Sequence, residues 1–170
     1  MSTTVPFTTF SRTALRLSTT AAVGMVMLAG CSSTPAENAA FCETSSALSQ
    51  QADKIDSLVP DEATLAAARS GDFTALNKWG VQADETITDV GAQFQETLDA
   101  APNEEIGAAI DTYLAMMDVL QQMAVAGAEA TDIATFSTEM TELNTDAVDL
   151  STDVTEANQV LADADQEYCQ

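Results

Sequence analysis

The sequence predicts an all-α fold: an antiparallel up-down-up-down four-helix bundle with heptad-type seams and one disulfide. Apolar residues recur at alternating steps of three and four along most of the chain after residue 40. No segment shows the β-branched alternation of a strand, and the 170 residues include only 7 glycines and 4 prolines. The hydrophobic fraction of 46% separates this chain from disordered acidic proteins, which bury too little apolar surface to fold.

The first 30 residues are predicted to form a secretion signal. Arg12 and Arg16 precede a short apolar stretch over 17–30, and no acidic residue occurs in this part of the chain. The stretch is too short to span a bilayer, which needs about 20 residues. No twin-arginine pair is present, so we expect the general secretion route.

The sequence Leu28-Ala29-Gly30-Cys31 resembles the lipobox of bacterial lipoproteins. The resemblance implies that the Cys31 thiol carries a diacylglyceryl group and that cleavage makes Cys31 the first residue. The predicted division is a removed signal peptide over 1–30, a lipidated tether over 31–34 and an acidic helical domain over 35–170. The lipid is the only attached group we expect, with no other cofactor. The alternative is an ordinary signal peptide with a cysteine nearby by chance.

The first predicted helix starts at a capping box, Thr34-Pro35-Ala36-Glu37, with proline at the first helical position. Its apolar positions are Phe41, Leu48, Ala52, Ile55 and Val59. Pro60 and Asp61 end this helix, and a short helix is predicted from Glu62 to Arg69. Ser70-Gly71 then ends this short helix.

The second and third main helices are separated by Ala101-Pro102. Asp72 is the predicted cap of the second helix, and Asn103 is the predicted cap of the third, which ends at Gly127. The apolar positions of the second are Phe73, Leu76, Gly80, Ala83, Ile87, Val90 and Phe94. Those of the third are Ile106, Ile110, Tyr113, Met117, Leu120 and Ala124.

The fourth helix opens at Thr131 or Asp132 and carries the longest seam. The seam residues are Ile133, Phe136, Met140, Leu143, Ala147, Leu150, Val154, Ala157, Leu161, Ala164 and Tyr168. Short connections predict that sequential helices are antiparallel neighbours. The turns near Pro60 and over 124–127 should then face away from a membrane that holds Cys31.

Two further cysteines fit this topology. Cys42 lies near the start of the first helix and Cys169 at the end of the fourth, which are at the same pole of an up-down-up-down bundle. Secreted proteins fold in an oxidising compartment, so we predict a Cys42–Cys169 disulfide. The alternative is two free thiols with a redox or metal-binding role.

The strongly negative charge of the chain limits the kinds of partner that it can bind. The mature chain would keep only Lys54, Arg69 and Lys78 against 27 acidic residues, for a formal charge of −24. Such a surface repels nucleic acid and anionic lipid headgroups, so contact with the membrane is expected through the anchor alone. It also favours a soluble monomer.

Composition argues against an enzyme, because the chain has no histidine. This excludes Ser-His and Cys-His catalysis and the Glu-x-x-His di-iron sites of ferritin-like bundles. Carboxylate pairs are too abundant to indicate a site, and Lys54 and Lys78 occupy positions typical of solvated side chains.

Six acidic residues of the fourth helix each lie one position before a seam residue, and together they form an acidic stripe along the helix. Its members are Glu139, Glu142, Asp146, Asp149, Asp153 and Glu156. The simpler interpretation is a solvated face. The functional one is weak multivalent binding of Ca²⁺ or Mg²⁺, or docking of a basic partner. No Asp-x-Asp-x-Asp-Gly loop is present to support a high-affinity calcium site.

Two sets of residues, the methionines and the Trp79-Gly80 pair, each allow a packing interpretation and a ligand-binding interpretation. Met116, Met117, Met123 and Met140 are predicted to pack in the core, although methionines also line adaptable grooves or bind Cu(I). Gly80 inside a helix costs about 1 kcal/mol relative to alanine. We expect a close helix approach there, with Trp79 covering the groove. The other interpretation is a ligand pocket.

Phe41-Cys42, Ala101-Pro102-x-x-Glu105-Ile106 and the terminal Cys169 are together similar to small secreted lipoproteins of actinobacteria. The chain has one residue more between Pro102 and Glu105 than the pattern of that group. The resemblance implies an envelope location and a helical fold, and no activity.

Two function classes follow. One is an anchored, non-catalytic protein on the extracytoplasmic face of the bacterial plasma membrane, binding an envelope protein or component. The other is a lipoprotein that binds a small ligand or divalent cation as an accessory to a transporter. An enzyme is a distant third. A cavity between the helices would favour the ligand-binding class, and a solid core would favour the first.

Overall fold

The computed structural model describes residues 38–49, 54 and 58–170. The predicted signal peptide, Cys31, the tether, the capping box over 34–37 and the apolar positions Ala52 and Ile55 lie outside the described residues. The helices are α1 (Ala39–Ser49), α2 (Glu62–Arg69), α3 (Thr74–Asp99), α4 (Glu104–Glu129) and α5 (Ile133–Tyr168). No strand occurs within the described ranges, so the predicted all-α class is confirmed there.

Three predicted helix starts are confirmed by side-chain caps. Asp61 Oδ1 accepts from the Thr64 amide at 2.7 Å, and Asn103 Oδ1 accepts from the Ile106 amide at 2.9 Å. Asp132 Oδ1 accepts two amides at the start of α5, at 2.9 and 3.0 Å. Each carboxylate or amide oxygen thus satisfies amides that have no partner within the helix.

Two predicted boundaries are shifted. Asp72 Oδ1 accepts from the Thr74 amide at 3.0 Å, but Phe73 occupies the N-cap position of α3. α4 continues past Gly127 to Glu129. The reason is long-range, because Asn77 Nδ2 on α3 donates to the carbonyls of Gly127 and Ala130, each at 3.0 Å. The helix end is therefore satisfied from another helix, and Gly127 is not its stop.

α3 and α4 run in opposite directions along each other. Gln121 Nε2 donates to Asp84 Oδ1 at 3.0 Å, near the middle of both helices. Toward the end of α3, the Phe94 and Tyr113 rings stack with centroids 5.0 Å apart. Residue numbers therefore fall on α4 as they rise on α3, as short connections predict.

α5 packs on α4 and is also antiparallel to it. The Tyr113 hydroxyl donates to Asn158 Oδ1, and Asn103 Nδ2 at the cap of α4 donates to the Tyr168 hydroxyl at 3.3 Å. α1 packs mainly against α3 and also against α5, while α2 packs against α3.

The core follows the predicted seams in two clusters. One includes Phe41, Ile87, Val90, Phe94, Ile110 and Val154, and the other includes Ala68, Leu76, Met123, Phe136 and Met140. Leu76 and Ile110 are fully buried, and Phe41 is 1% exposed. The alternating steps of three and four therefore identify the inward faces of the described helices.

Candidate functional site

The two cysteines of the predicted disulfide are bonded to each other. Their Cα atoms lie 5.5 Å apart across a sequence separation of 127. Cys42 lies in the first turn of α1, and Cys169 is the C-cap residue of α5. The disulfide is confirmed, and the alternative of two free thiols is wrong. We call this end of the helices the disulfide pole.

The opposite end of the helices is called the distal pole. It consists of the turn over 70–73, the last turn of α4, the turn over 130–132 and the first two turns of α5. The predicted outward turn over 124–127 is helical instead, and the chain reverses at 130–132. The reason is again the capping of the α4 carbonyls by Asn77.

Two depressions indent the surface at the distal pole. The smaller, about 130 Å³, lies between α4 and α5 and is lined by Ala126, Glu129, Ala130, Thr131, Phe136 and Glu139, among others. The larger, about 420 Å³ and open to solvent, lies beside α2 and is lined by Ala68, Arg69, Phe73, Thr131, Asp132 and Ile133, among others. Thr131 and Asp132 line both, so the two depressions are neighbours.

The sequence predicts only the general region of these depressions, through the outward-facing turns. The spacing of Phe73, Ile133 and Phe136 places all three on seams, and it does not indicate which seam residues border a surface depression. The feature of the sequence that could have indicated the depressions is the Thr131-Asp132 break between two long helices. A chain reversal exposes the ends of the apolar seams on both flanking helices.

The acidic stripe is exposed along its whole length. All six members, Glu139, Glu142, Asp146, Asp149, Asp153 and Glu156, lie on the solvent side of α5. Within the described residues, no group of three or more acidic or cysteine side chains is arranged to hold a metal ion. The structure therefore does not gather the stripe into a coordination site, and weak binding of Ca²⁺ or Mg²⁺ stays a prediction.

The four predicted core methionines are buried. Met116, Met117, Met123 and Met140 are 3 to 6% exposed and belong to the two core clusters. Met116 and Met117 pack in the first cluster, and the other two pack in the second. Core packing is confirmed for all four.

Trp79 and Gly80 mark the close approach of α3 to α4, as predicted. A Cβ at Gly80 would meet backbone atoms of Ala124 and Ala128, and a Cβ at Gly127 would meet the Trp79 ring. The Trp79 Nε1 donates to the Leu58 carbonyl at 3.2 Å, so the indole also fixes the segment that precedes α2. The groove is filled by this packing, which leaves no space there for the ligand pocket considered from the sequence.

A polar link crosses the first cluster. The half-buried Tyr113 hydroxyl donates to Asn158 Oδ1, and its ring stacks on Phe94 at an interplanar angle of 14°. Burial raises the pKa of Tyr113 to about 12, because the phenolate would lose hydration. The side chain is therefore a neutral donor at physiological pH and joins α3, α4 and α5.

The capping carboxylates are held in their charged form. Backbone amides lower the pKa of Asp61, Asp72 and Asp132 below the ordinary value of 3.8, through Thr64, Thr74 and Thr135 respectively. The cause is hydrogen bonding to the ionised oxygen, which favours the charged form. Asp132 thus contributes a permanent negative charge to both depressions near neutral pH.

None of the helices in the described part of the chain is long and apolar enough to cross a membrane. Comparison with family models, curated proteins and solved structures gave no match. The class that the fold and site define is therefore an all-helical, disulfide-linked acidic protein.

Proposed function

We propose that this protein is a membrane-anchored, non-catalytic lipoprotein of the cell envelope that presents its distal pole to a partner. The observation that carries the proposal is the Cys42–Cys169 disulfide, which joins the start of α1 to the end of α5. A lipid on Cys31 would be joined to Ala39 by eight residue steps, which reach at most about 28 Å. The disulfide pole would then face the membrane.

The same proposal includes the arrangement of the helices. α1, α3, α4 and α5 would form one up-down-up-down bundle, with α1 beside both α3 and α5. Two contacts support it: Cys42 is bonded to the end of α5, whereas Leu58 accepts from Trp79 near the start of α3. In this arrangement the chain between these two residues would pass from the disulfide pole to the distal pole. With its 26 residues, α3 separates the poles by about 39 Å at 1.5 Å per residue.

Binding of a partner is favoured over a small ligand because of where the open space lies. Both depressions are at the surface of the distal pole, and apolar side chains fill the seams between the described helices. Small-molecule sites typically measure about 300–1,000 Å³ and enclose most of the ligand. The smaller depression is below this range, and the larger is open to solvent. The absence of histidine from the sequence also favours a non-catalytic role.

Lipidation of Cys31 is the first test. The full chain, expressed in bacteria, should partition into the detergent phase, and mass spectrometry of its N-terminal peptide should show an acylated Cys31. Cys31→Ser should move the protein to the aqueous phase, whereas the control Ser33→Ala should remain in the detergent phase. An unmodified Cys31 in the mature wild-type protein would contradict the proposal.

Orientation is the second test. Thr131→Cys places a thiol at the distal pole, where a membrane-impermeant maleimide should label it on intact cells from which any outer barrier has been removed. The unsubstituted protein is the control for background labelling. Labelling only after the plasma membrane is permeabilised would show that the domain lies on the cytoplasmic side, which would contradict the proposal.

A further inference from the structure

We propose that α1 is a redox-controlled strap, a helix that detaches when the Cys42–Cys169 disulfide is reduced while α3, α4 and α5 stay folded. The release depends on the contacts of α1 alone. Its consequence at a membrane also rests on the proposed function, because that consequence requires a lipid on Cys31.

α1 supplies little of the described core. Phe41 is 1% exposed and is the only buried residue over 39–48. Every other buried member of the first cluster lies on α3, α4 or α5, and the second cluster has no buried member on the described part of α1. Cys42 and Leu48 pack against the first cluster but are only half-buried. Apart from the disulfide, one aromatic side chain is therefore the main apolar contact of α1.

α3, α4 and α5 are joined to one another without α1. Asn77 on α3 donates to carbonyls at the end of α4, and Gln121 on α4 donates to Asp84 on α3. Tyr113 on α4 donates to Asn158 on α5. These three helices also supply most of both core clusters. We therefore expect them to keep their arrangement when α1 leaves.

The helical structure of α1 depends on packing. Its sequence includes Thr44 and serines at 45, 46 and 49, which have a low helix propensity because their side chains compete for backbone hydrogen bonds. The Thr44 hydroxyl donates to carbonyls within α1 at 3.1 Å. A detached α1 should therefore lose its helix, since most helical stability in proteins comes from tertiary packing.

The disulfide and an indole hydrogen bond fix the chain on either side of α1. Cys42 in the first turn is bonded to Cys169 at the end of α5. After α1, the Leu58 carbonyl accepts from Trp79 Nε1 on α3 at 3.2 Å. Opening the disulfide therefore frees one end of the strap and leaves the other attached.

The redox step requires a dithiol reductant. Cys42 and Cys169 are half-buried and lie at one end of the helices, where such a molecule can approach. One thiolate of the dithiol attacks a sulfur of the bond and forms a mixed disulfide, and the second thiolate then displaces the remaining cysteine. Two electrons and two protons pass to the cysteines, and the reductant leaves as its own disulfide.

With a lipid on Cys31, the release would change which pole the tether joins. In the oxidised protein the tether reaches the domain at the disulfide pole, through at most about 28 Å of chain. In the reduced protein the first fixed residue is Leu58, 27 residue steps after Cys31 and at most about 95 Å away. The distal pole would then become the attached end.

Hydrogen exchange followed by mass spectrometry tests the release, with the full chain in neutral detergent. On addition of dithiothreitol, peptides from α1 should lose their protection, whereas peptides from α3, α4 and α5 should keep theirs. Cys42→Ser with Cys169→Ser should show the same pattern without reductant and should not respond to it. Cys31→Ser, which keeps the disulfide, should respond as the wild type does.

Two results would overturn the release. One is unchanged protection of α1 after reduction. The other is a simultaneous loss of protection in α3, α4 and α5, because the disulfide would then hold the whole fold and not a strap.

Energy transfer to acceptor lipids tests the membrane consequence separately. The acylated chain is reconstituted in phosphatidylcholine vesicles with a donor dye on Glu105→Cys, at the start of α4, or on Thr131→Cys. With the disulfide intact, transfer should be greater from position 105. Adding Cys42→Ser and Cys169→Ser should abolish or reverse this difference, and an unchanged difference would overturn the change of pole. An unmodified Cys31 would remove the proposed function and leave the release standing.

Discussion

The indole of Trp79 on α3 lies directly against Gly127 on α4, where a Cβ would come within 2.8 Å of the ring atom Cε3. Next to it, a Cβ at Gly80 would lie 2.5 Å from the Ala124 carbonyl oxygen and 2.7 Å from the Ala128 Cα. Two glycines and one tryptophan thus interlock the helices near the distal pole. At Gly80 no side chain separates the two helices, because backbone atoms of α4 occupy the space.

Gly80→Ala should destabilise the protein by about 1–3 kcal/mol, the usual cost of overpacking. The obstacles are backbone atoms of α4, which cannot rotate aside, so the two helices must separate. Urea unfolding followed by far-ultraviolet circular dichroism measures the change in the free energy of unfolding.

Gly91→Ala is the matched control in the same helix. Nothing lies within 4 Å of a Cβ at position 91, so the substitution should gain about 1 kcal/mol from helix propensity alone. Opposite signs for the two substitutions are expected. If Gly80→Ala proved as stable as Gly91→Ala, the close contact would be disproved.

Removal of the disulfide should lower stability by up to about 5 kcal/mol, because the bond closes a long loop in the unfolded chain. Cys42→Ser with Cys169→Ser should show this loss in urea unfolding, and wild type in a thiol reductant should match it. Cys31→Ser serves as the control, since it replaces a cysteine outside the loop. A reductant that leaves the wild-type midpoint unchanged would contradict the expectation.

Tyr113 should make stability fall at high pH. Its folded pKa of about 12 exceeds the ordinary value of 10.0, so the folded state keeps the proton longer. The contribution is therefore complete below pH 10 and is lost as pH rises toward 12. Urea midpoints between pH 9 and pH 12, a range of about three units around the tyrosine pKa, measure this loss.

Tyr113→Phe is the variant that identifies the source of this pH dependence. It should remove most of the decline, while leaving the Asn158 amide without its hydroxyl partner and costing about 1 kcal/mol at neutral pH. An unchanged decline in the variant would show that other groups cause it.

Asp132 should stabilise the start of α5 in a pH-dependent way. Amide hydrogen bonds hold its pKa below 3.8. Its contribution to the free energy of unfolding is therefore complete above the ordinary pKa and disappears as the pH falls through the lowered pKa. Asp132→Ala should reduce the urea midpoint at neutral pH and have a smaller effect in strong acid. Asp132→Asn, which keeps an accepting oxygen, should retain most of the neutral-pH stability and show less pH dependence.

The local features of the fold were predictable because each depends on residues that are close to one another in the sequence. The caps at Asp61, Asn103 and Asp132 and the break at Ser70-Gly71 depend on contacts within four residues. Gly71 adopts a φ of +93°, a conformation that favours glycine, which explains the end of α2 at this point. The steps of three and four identified the buried faces for the same reason.

The candidate site was predictable only in part. The disulfide followed from helix directions and compartment, because antiparallel order places Cys42 and Cys169 at one pole. The depressions at the distal pole did not follow, because they depend on how α2, α4 and α5 meet. Spacing assigns Phe136 to a seam, where it is buried, and does not indicate that it also borders a surface depression.

By itself the sequence determined the helical class, the inward faces, most helix ends and the acidic stripe on α5, since each depends on short-range chemistry and periodicity. Tertiary structure decided that α4 continues beyond Gly127, which backbone atoms of α4 face Gly80, and that two surface depressions share Thr131. These depend on contacts about 50 residues apart, such as that of Asn77 with Gly127, and helix period alone does not specify which turns meet.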